Sequence, residues 1–130
     1  MRKLAIALAV PALIAAIPAS AEVIGGLRLA ANRSNYHGSC PVEVVFTANV
    51  MITNNHGPGG VFNYHWERSD GARTAQQVVR VGSAGETLVY KEHWRLGKPG
   101  SIHDISVTFH ANSGNQHLQE TSQTVHIECR

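Results

Sequence analysis

Every second position from Cys40 to Ile52 is apolar, and this alternation limits what the chain can fold into. Successive side chains of a β-strand point to opposite faces, so the stretch predicts one long strand with a wholly apolar face. The apolar positions are Cys40, Val42, Val44, Phe46, Ala48, Val50 and Ile52. Such a face has to be covered by a second layer of structure. No segment sustains the 3.6-residue period of an amphipathic helix.

The period of two recurs along the chain, and turns rich in Gly, Asn and Ser separate the segments. We predict seven strands, namely A 23–33, B 40–53, C 61–68, D 75–81, E 86–96, F 102–111 and G 117–129. Glu92 interrupts the apolar face of strand E. Short strands at this spacing are typical of an antiparallel sandwich.

The stretch VFNYHWERSDG, Val61 to Gly71, crowds aromatic, basic and acidic residues together. Strand periodicity separates them, because it places Tyr64 and Trp66 toward the core and His65 and Glu67 toward solvent. The predicted core anchors of the domain are Trp66, Trp94, Tyr64, Phe46 and Phe109. The stretch is therefore interpreted as a strand and its exit turn.

The N-terminus has the three parts of a secretory signal peptide. Arg2 and Lys3 form a basic head, Leu4–Ile17 is apolar, and Ala19–Ala21 is a small-residue cleavage site. The apolar run is shorter than the roughly 20 residues of a membrane-spanning helix, which argues against an anchor. We predict a signal peptide over 1–21, a single domain over 22–130, and a secreted or periplasmic location.

The charge of the domain argues against nucleic acid as a partner. Without Arg2 and Lys3, the nine remaining basic residues match the nine acidic ones, and no basic run is present. A neutral domain lacks the positive surface that binds nucleic acid or anionic lipid. We expect no nucleic-acid partner, and no membrane insertion once the signal peptide is cleaved.

Two cysteines remain in the domain, Cys40 and Cys129. In an exported protein an even number indicates a disulfide, and two cysteines allow one pairing. Two free thiols are the alternative, disfavoured in an oxidising compartment. In a Greek-key sandwich, strand B starts at the pole where strand G ends, so the topology brings the two sulfur atoms together. Trp66, near the end of strand C, is expected to pack near this bridge.

The motifs Y-x-G-x-C-P, Gly-Pro-Gly, aromatic-x-W followed by R-S-D-G-A, W-x-L-G and a terminal Cys extend over residues 23–130. This pattern resembles the immunoglobulin-like domains of secreted and cell-surface bacterial proteins. The resemblance implies an all-β, seven-stranded antiparallel Ig-like Greek-key sandwich with one disulfide. It carries over no catalytic or binding residue. The chain departs from antibody-type domains because Cys129 falls on strand G, not F.

The domain contains eight histidines, so a zinc or copper site has to be considered. They are His37, His56, His65, His93, His103, His110, His117 and His126. None shows H-x-H or HExxH spacing, and no C-x-x-C is present. A hairpin turning near Gly114 would separate His110 from His126 by some 27 Å, at 3.4 Å per residue. We expect scattered surface histidines, with no specific metal site and no cofactor.

No Gly-x-Ser-x-Gly, phosphate loop or other catalytic constellation is present, so we do not expect an enzyme. The predicted function is an exported, non-catalytic binding or structural module of the bacterial envelope or exterior. Its expected partner is a protein or glycan, and a monomer is expected. Exposed strand edges, including that of strand A with Gly25-Gly26, offer a route for strand addition. The alternative is a small zinc- or copper-binding periplasmic protein that uses surface histidines.

Overall fold

The computed structural model describes residues 23–53, 60–82 and 85–130, and the regular structure in them is entirely β-strand. The strands are β1 Ile24–Ala31, β2 Asn35–Gly38, β3 Val42–Ile52, β4 Gly60–Arg68, β5 Gln77–Val81, β6 Thr87–Leu96, β7 Ile102–Ile105, β8 Val107–Ser113, β9 Gln116–Thr121 and β10 Val125–Cys129. The prediction of an all-β fold is confirmed. The described residues contain no helix that could cross a membrane. The predicted signal peptide, His56 and the Gly-Pro-Gly turn lie outside them.

The strands form three sheets, with the orders β1-β3-β6, β2-β10-β7 and β5-β4-β8-β9. The sheets β2-β10-β7 and β5-β4-β8-β9 are linked directly along the chain. β8 follows β7 after the single residue Ser106, and β10 follows β9 after residues 122–124. Every neighbouring pair is antiparallel except β2 and β10, which run parallel.

Where seven strands were predicted, residues 23–53, 60–82 and 85–130 contain ten. Predicted strands F and G are each divided, and Asn35–Gly38, predicted as a turn, is a strand that pairs parallel with β10. Serine contacts explain the divisions. The N–H of Ser106 donates to Ser69 Oγ at 3.1 Å, and the N–H of Val107 donates to Ser122 Oγ at 3.1 Å. Side-chain oxygens thus take the place of ladder partners at both breaks.

The core lies between the long strand β3 and strands of the other two sheets. On β3 the side chains at 44, 46, 48 and 50 are fully buried, as the alternation requires. Across the core, Phe109 is also fully buried, with Trp66 edge-on to its ring at 4.8 Å and Tyr64 stacked on it at 5.2 Å. Trp66 and Trp94 are buried, whereas Tyr64 is only partly buried.

Glu92, the polar residue on the apolar face of strand E, is explained by a partner from another sheet. Arg68 Nε donates to Glu92 Oε2 at 3.0 Å, and both side chains are less than one-third exposed. The Arg68 guanidinium also lies 4.9 Å from the centre of the Trp94 ring and donates to the carbonyl of His93 at 3.1 Å. Arg68 therefore both neutralises Glu92 and covers part of the edge of β6.

The predicted disulfide is confirmed. Cys40 and Cys129 are bonded with their Cα atoms 5.4 Å apart, which joins the approach to β3 with the end of β10. Gly97, in the left-handed region at φ +101°, lies against the bridge. A Cβ at this position would lie 2.6 Å from Cys129 Sγ, so close approach of the backbone requires glycine.

Candidate functional site

Polar side chains cover the outer face of β4 and β8, opposite the core. The antiparallel register places His65 directly beside His110. Their imidazole rings stack with centroids 4.5 Å apart and planes 4° from parallel. Strand periodicity had placed His65 on this outer face, but the pairing of His65 with His110 depends on how two strands align and could not be derived from one strand alone.

Hydrogen bonds tie this face together. Glu67 Oε1 lies 3.0 Å from His110 Nε2, and Arg73 Nη2 donates to Glu67 Oε2 at 3.3 Å. On β8, Asn112 Oδ1 lies 2.7 Å from His117 Nδ1 of the neighbouring strand. Most of the polar groups therefore already have a partner within the domain.

The histidine pair is arranged to avoid two adjacent positive charges. Burial lowers the pKa of His65, and the nearby His110 and Arg73 lower it further. The hydrogen bond from His110 lowers the pKa of Glu67. His65 Nδ1 is buried and has no hydrogen-bond partner among the described residues. A neutral His65 tolerates this environment at lower cost than an imidazolium.

A metal site does not follow from these histidines. In residues 23–53, 60–82 and 85–130, no three His, Cys, Asp or Glu side chains are placed to hold one ion. Metal sites in proteins ordinarily need at least three such ligands. The stacked pair His65 and His110 thus has a structural explanation in cross-strand packing and the contact with Glu67.

A second polar network crosses the sheet β2-β10-β7. His126 Nδ1 lies 2.7 Å from Asp104 Oδ1, and His126 Nε2 lies 2.9 Å from Glu128 Oε2. Two carboxylates can both accept from one imidazole only if both ring nitrogens carry a proton. These bonds to Asp104 and Glu128 raise the pKa of His126, and the same contact lowers the pKa of Glu128. Glu128 also lies 3.8 Å from His37 of β2.

The raised pKa of His126 predicts a pH-dependent stability. The folded state holds this proton more tightly than the unfolded state does, so the contribution is complete below about pH 6.5 and is lost as pH rises through the higher folded pKa. We expect wild type to lose more stability than His126→Gln when the pH is raised from below about 6.5 to above the folded-state pKa of His126. Urea unfolding at a series of pH values measures the difference.

His65→Gln is the control for this prediction, since the pKa of His65 is shifted the other way. The folded state resists protonation of His65, so wild type should lose stability as pH falls below about 6.5. His65→Gln should lose less stability over the same range, because glutamine does not bind the proton. Parallel pH profiles for wild type and His126→Gln would contradict the assignment of a folded imidazolium.

A cleft of about 470 Å³ opens beside β7. It is lined by Ser69, Asp70, Trp94, Leu96, Ile102, His103, Asp104 and Ile105. Its polar groups serve local structure: Asp70 accepts from the N–H of Ala72, His103 contacts Ser101, and Asp104 contacts His126. Within the described residues these contacts form no serine–histidine–acid relay.

A groove of about 410 Å³ lies between β1 and β9. Its lining is Ile24, Gly25, Gly26, Leu27, Gln116, Leu118, Gln119 and Glu120. The Gln116 carboxamide spans the gap, because its oxygen accepts from the N–H of Ile24 at 3.2 Å and its nitrogen donates to the Ile24 carbonyl at 2.7 Å. Sequence patterns had marked Gly25-Gly26 in an edge strand, but nothing in them indicated Gln116.

Comparison of the chain with family models, with curated proteins and with solved structures finds no match. The geometry of the domain is therefore the basis for any functional conclusion. Two features distinguish its surface: a polar face whose groups are largely paired internally, and the groove beside β1, where a strand edge is open.

Proposed function

We propose that this protein is an exported, non-catalytic binding or structural module with an immunoglobulin-like sandwich fold, acting in the bacterial envelope or exterior. The order of the strands carries the proposal. The sheet β1-β3-β6 faces a discontinuous layer in which β5, β4, β7/β8, β9/β10 and β2 follow one another. In immunoglobulin terms these correspond to A-B-E and C′-C-F-G-A′, a division typical of such sandwiches. Here C′ is β5, the segment predicted as strand D, which pairs with β4, and A′ is β2.

The division of the predicted strands is compatible with this fold. β7 and β8 together cover predicted strand F, β9 and β10 cover predicted strand G, and β2 is an added strand between A and B. An Ig-like sandwich of this kind has seven principal strands, two of which are interrupted, and one further strand, β2, at the edge.

The disulfide supports the proposed location. The structure contains a disulfide between Cys40 and Cys129, two residues with a sequence separation of 89. Disulfides persist in oxidising compartments, which include the cell exterior and the periplasm. The basic, apolar and small-residue parts of the predicted signal peptide give independent support. Secreted and periplasmic locations are both compatible with these features.

Binding or scaffolding is favoured over catalysis by the state of the polar groups. Among the candidates for acid–base chemistry, Glu67 and His126 each contact another side chain on an open sheet face, and Asp104, which lines the cleft beside β7, is paired with His126. Catalytic sites instead converge on a shielded pocket where a substrate atom can lie. A zinc- or copper-binding function is not proposed, since no observation in the described residues favours it.

Affinity capture tests the proposal. The mature domain, residues 22–130 with its disulfide intact, is immobilised and exposed to envelope and culture-medium fractions of the producing bacterium. A protein or glycan retained by the folded domain, and lost after reduction and unfolding, is the expected result. Retention that is equal for the folded and unfolded protein, or hydrolytic activity of the pure domain, would contradict a non-catalytic binding module.

A further inference from the structure

Within the described residues, the outer edge of β1 is an open strand edge, because β1 lies at the end of its sheet and pairs only with β3. The N–H of Asn32, just after β1, donates to the carbonyl of Val45 in β3. The backbone N–H and C=O groups of every second residue back along β1 therefore also point toward β3. The backbone groups of Leu27 and Leu29, which lie between these positions, therefore point away from β3 toward the open side.

The side chain of Gln116 shows that this edge can form hydrogen bonds with an amide group. Its carboxamide donates to the carbonyl and accepts from the N–H of the same residue, Ile24, as a residue of a neighbouring antiparallel strand would. One side-chain amide thus occupies the position of a peptide group from a missing strand. Within the described residues, no side chain does the same for Leu27 or Leu29.

The groove beside this edge combines open space with apolar walls. Gly25 and Gly26 present no side chains there, whereas Leu27 and Leu118 provide apolar walls. Among the described residues that line this groove, Glu120 is the only charged one. An extended segment entering it would place backbone groups on β1 and alternate side chains toward the leucines.

The edge of β6 is more heavily protected against strand addition than the edge of β1. Arg68 donates to the outward carbonyl of His93, and the exposed positions along β6 include Lys91 and Arg95. Charged residues and capping groups of this kind discourage strand addition. The open edge of β1 carries one exposed charged residue, Arg28, and its side-chain cap at Ile24 is the neutral carboxamide of Gln116.

We infer that the groove between β1 and β9 binds an extended peptide segment of a partner protein by strand addition to β1. The segment pairs with Leu27 and Leu29, inserts an apolar side chain between Leu27 and Leu118, and carries a basic residue that meets Glu120. This inference rests on the proposed binding function and identifies its partner class as an extended peptide.

Selection from a library of short random peptides displayed on phage tests this inference. Peptides selected on the mature domain are synthesised, and their Kd is measured by calorimetry. Glu120→Lys, at an exposed position, should weaken binding of peptides with a basic residue by about tenfold or more. Leu118→Lys should weaken binding of all groove peptides by at least as much.

Val89→Lys on β6 is the matched control for Leu118→Lys, because it also replaces an apolar side chain by lysine, at an exposed position of a different strand edge. It should leave the Kd unchanged. Circular dichroism and urea unfolding establish that each variant is folded; Glu120→Lys keeps the test decisive if Leu118→Lys is unfolded. Hydrogen exchange locates the contact, since the amides of Leu27 and Leu29 should be protected by bound peptide.

The inference is overturned if no selected peptide distinguishes Glu120→Lys from wild type, or if peptides protect another edge. Concentration-dependent dimerisation that Leu118→Lys abolishes would identify a second copy as the occupant and would equally overturn it. A partner captured from the envelope that binds both groove variants like wild type would leave the proposed function standing and remove only this site.

Discussion

Removing the Cys40–Cys129 disulfide is expected to lower the free energy of unfolding by about 4–5 kcal/mol in the chain-entropy description. The bridge closes a loop with a sequence separation of 89, so it restricts most of the unfolded domain. Since small domains are stable by only about 5–15 kcal/mol, this loss takes a large share of the total. Urea unfolding of the double variant Cys40→Ala/Cys129→Ala, followed by circular dichroism, measures it.

The reduced wild type provides the control for this prediction. A phosphine reductant should shift the unfolding midpoint of wild type toward that of the double variant, and should leave the double variant unchanged. A difference below about 1 kcal/mol between oxidised wild type and the double variant would show that the unfolded chain is not restricted by the bridge.

Truncating Trp66 to alanine should cost about 3–5 kcal/mol, because it leaves a large cavity in a close-packed core. Trp66 is only 4% exposed and lies edge-on to Phe109, which is itself fully buried. The backbone of Trp66 is also tied to Thr74 by two hydrogen bonds, so the chain around the cavity has limited freedom to collapse into it. Urea unfolding followed by far-ultraviolet circular dichroism provides the measurement.

Val61→Ala is the matched control on the same strand, since Val61 is at the surface. It should change stability by about 0.5 kcal/mol or less. Trp66→Phe should fall between Trp66→Ala and wild type because it retains an aromatic ring. A near-neutral Trp66→Ala would mean that the indole does not fill the core between the sheets.

The prediction from sequence succeeded where a local pattern carries the information. The alternation from Cys40 to Ile52 predicted the buried face of β3, and the same period separated Trp66 from His65 on opposite faces of β4. The pairing of Cys40 with Cys129 followed from their number in a chain predicted to be exported. Each of these conclusions needs only the chirality and pleat of a strand, or a single possible pairing.

The prediction of strand boundaries failed where a backbone N–H donates to a side-chain oxygen instead of to the carbonyl of a neighbouring strand. Ser69 and Ser122 supply oxygens to Ser106 and Val107, which divides two strands that the hydrophobic period had read as continuous. Serine at such positions has no sequence signature that distinguishes a break in a strand from a solvent-exposed residue. Likewise, β2 was not predicted, because Asn35–Gly38 lies in a segment with the composition of a turn.

Contacts between distant segments account for the features of the candidate sites. Glu92 was an unexplained polar residue until the fold placed Arg68 beside it, 24 positions away in the chain. Gln116 meets Ile24 across 92 positions, and that contact identifies the open edge of β1. Neither pair shares a strand, so periodicity contains no information about it.

The amino-acid sequence by itself determined that the chain forms strands, which side of the main strands is apolar, and which cysteines are bonded. These properties follow from side-chain alternation within single strands and from the number of cysteines. Only the tertiary structure decided where strands break, which edges are capped by Arg68 or Gln116, and which edge remains open. Those outcomes depend on which donors and acceptors meet after folding, and every backbone group left without a ladder partner must find one there, in water or in another chain.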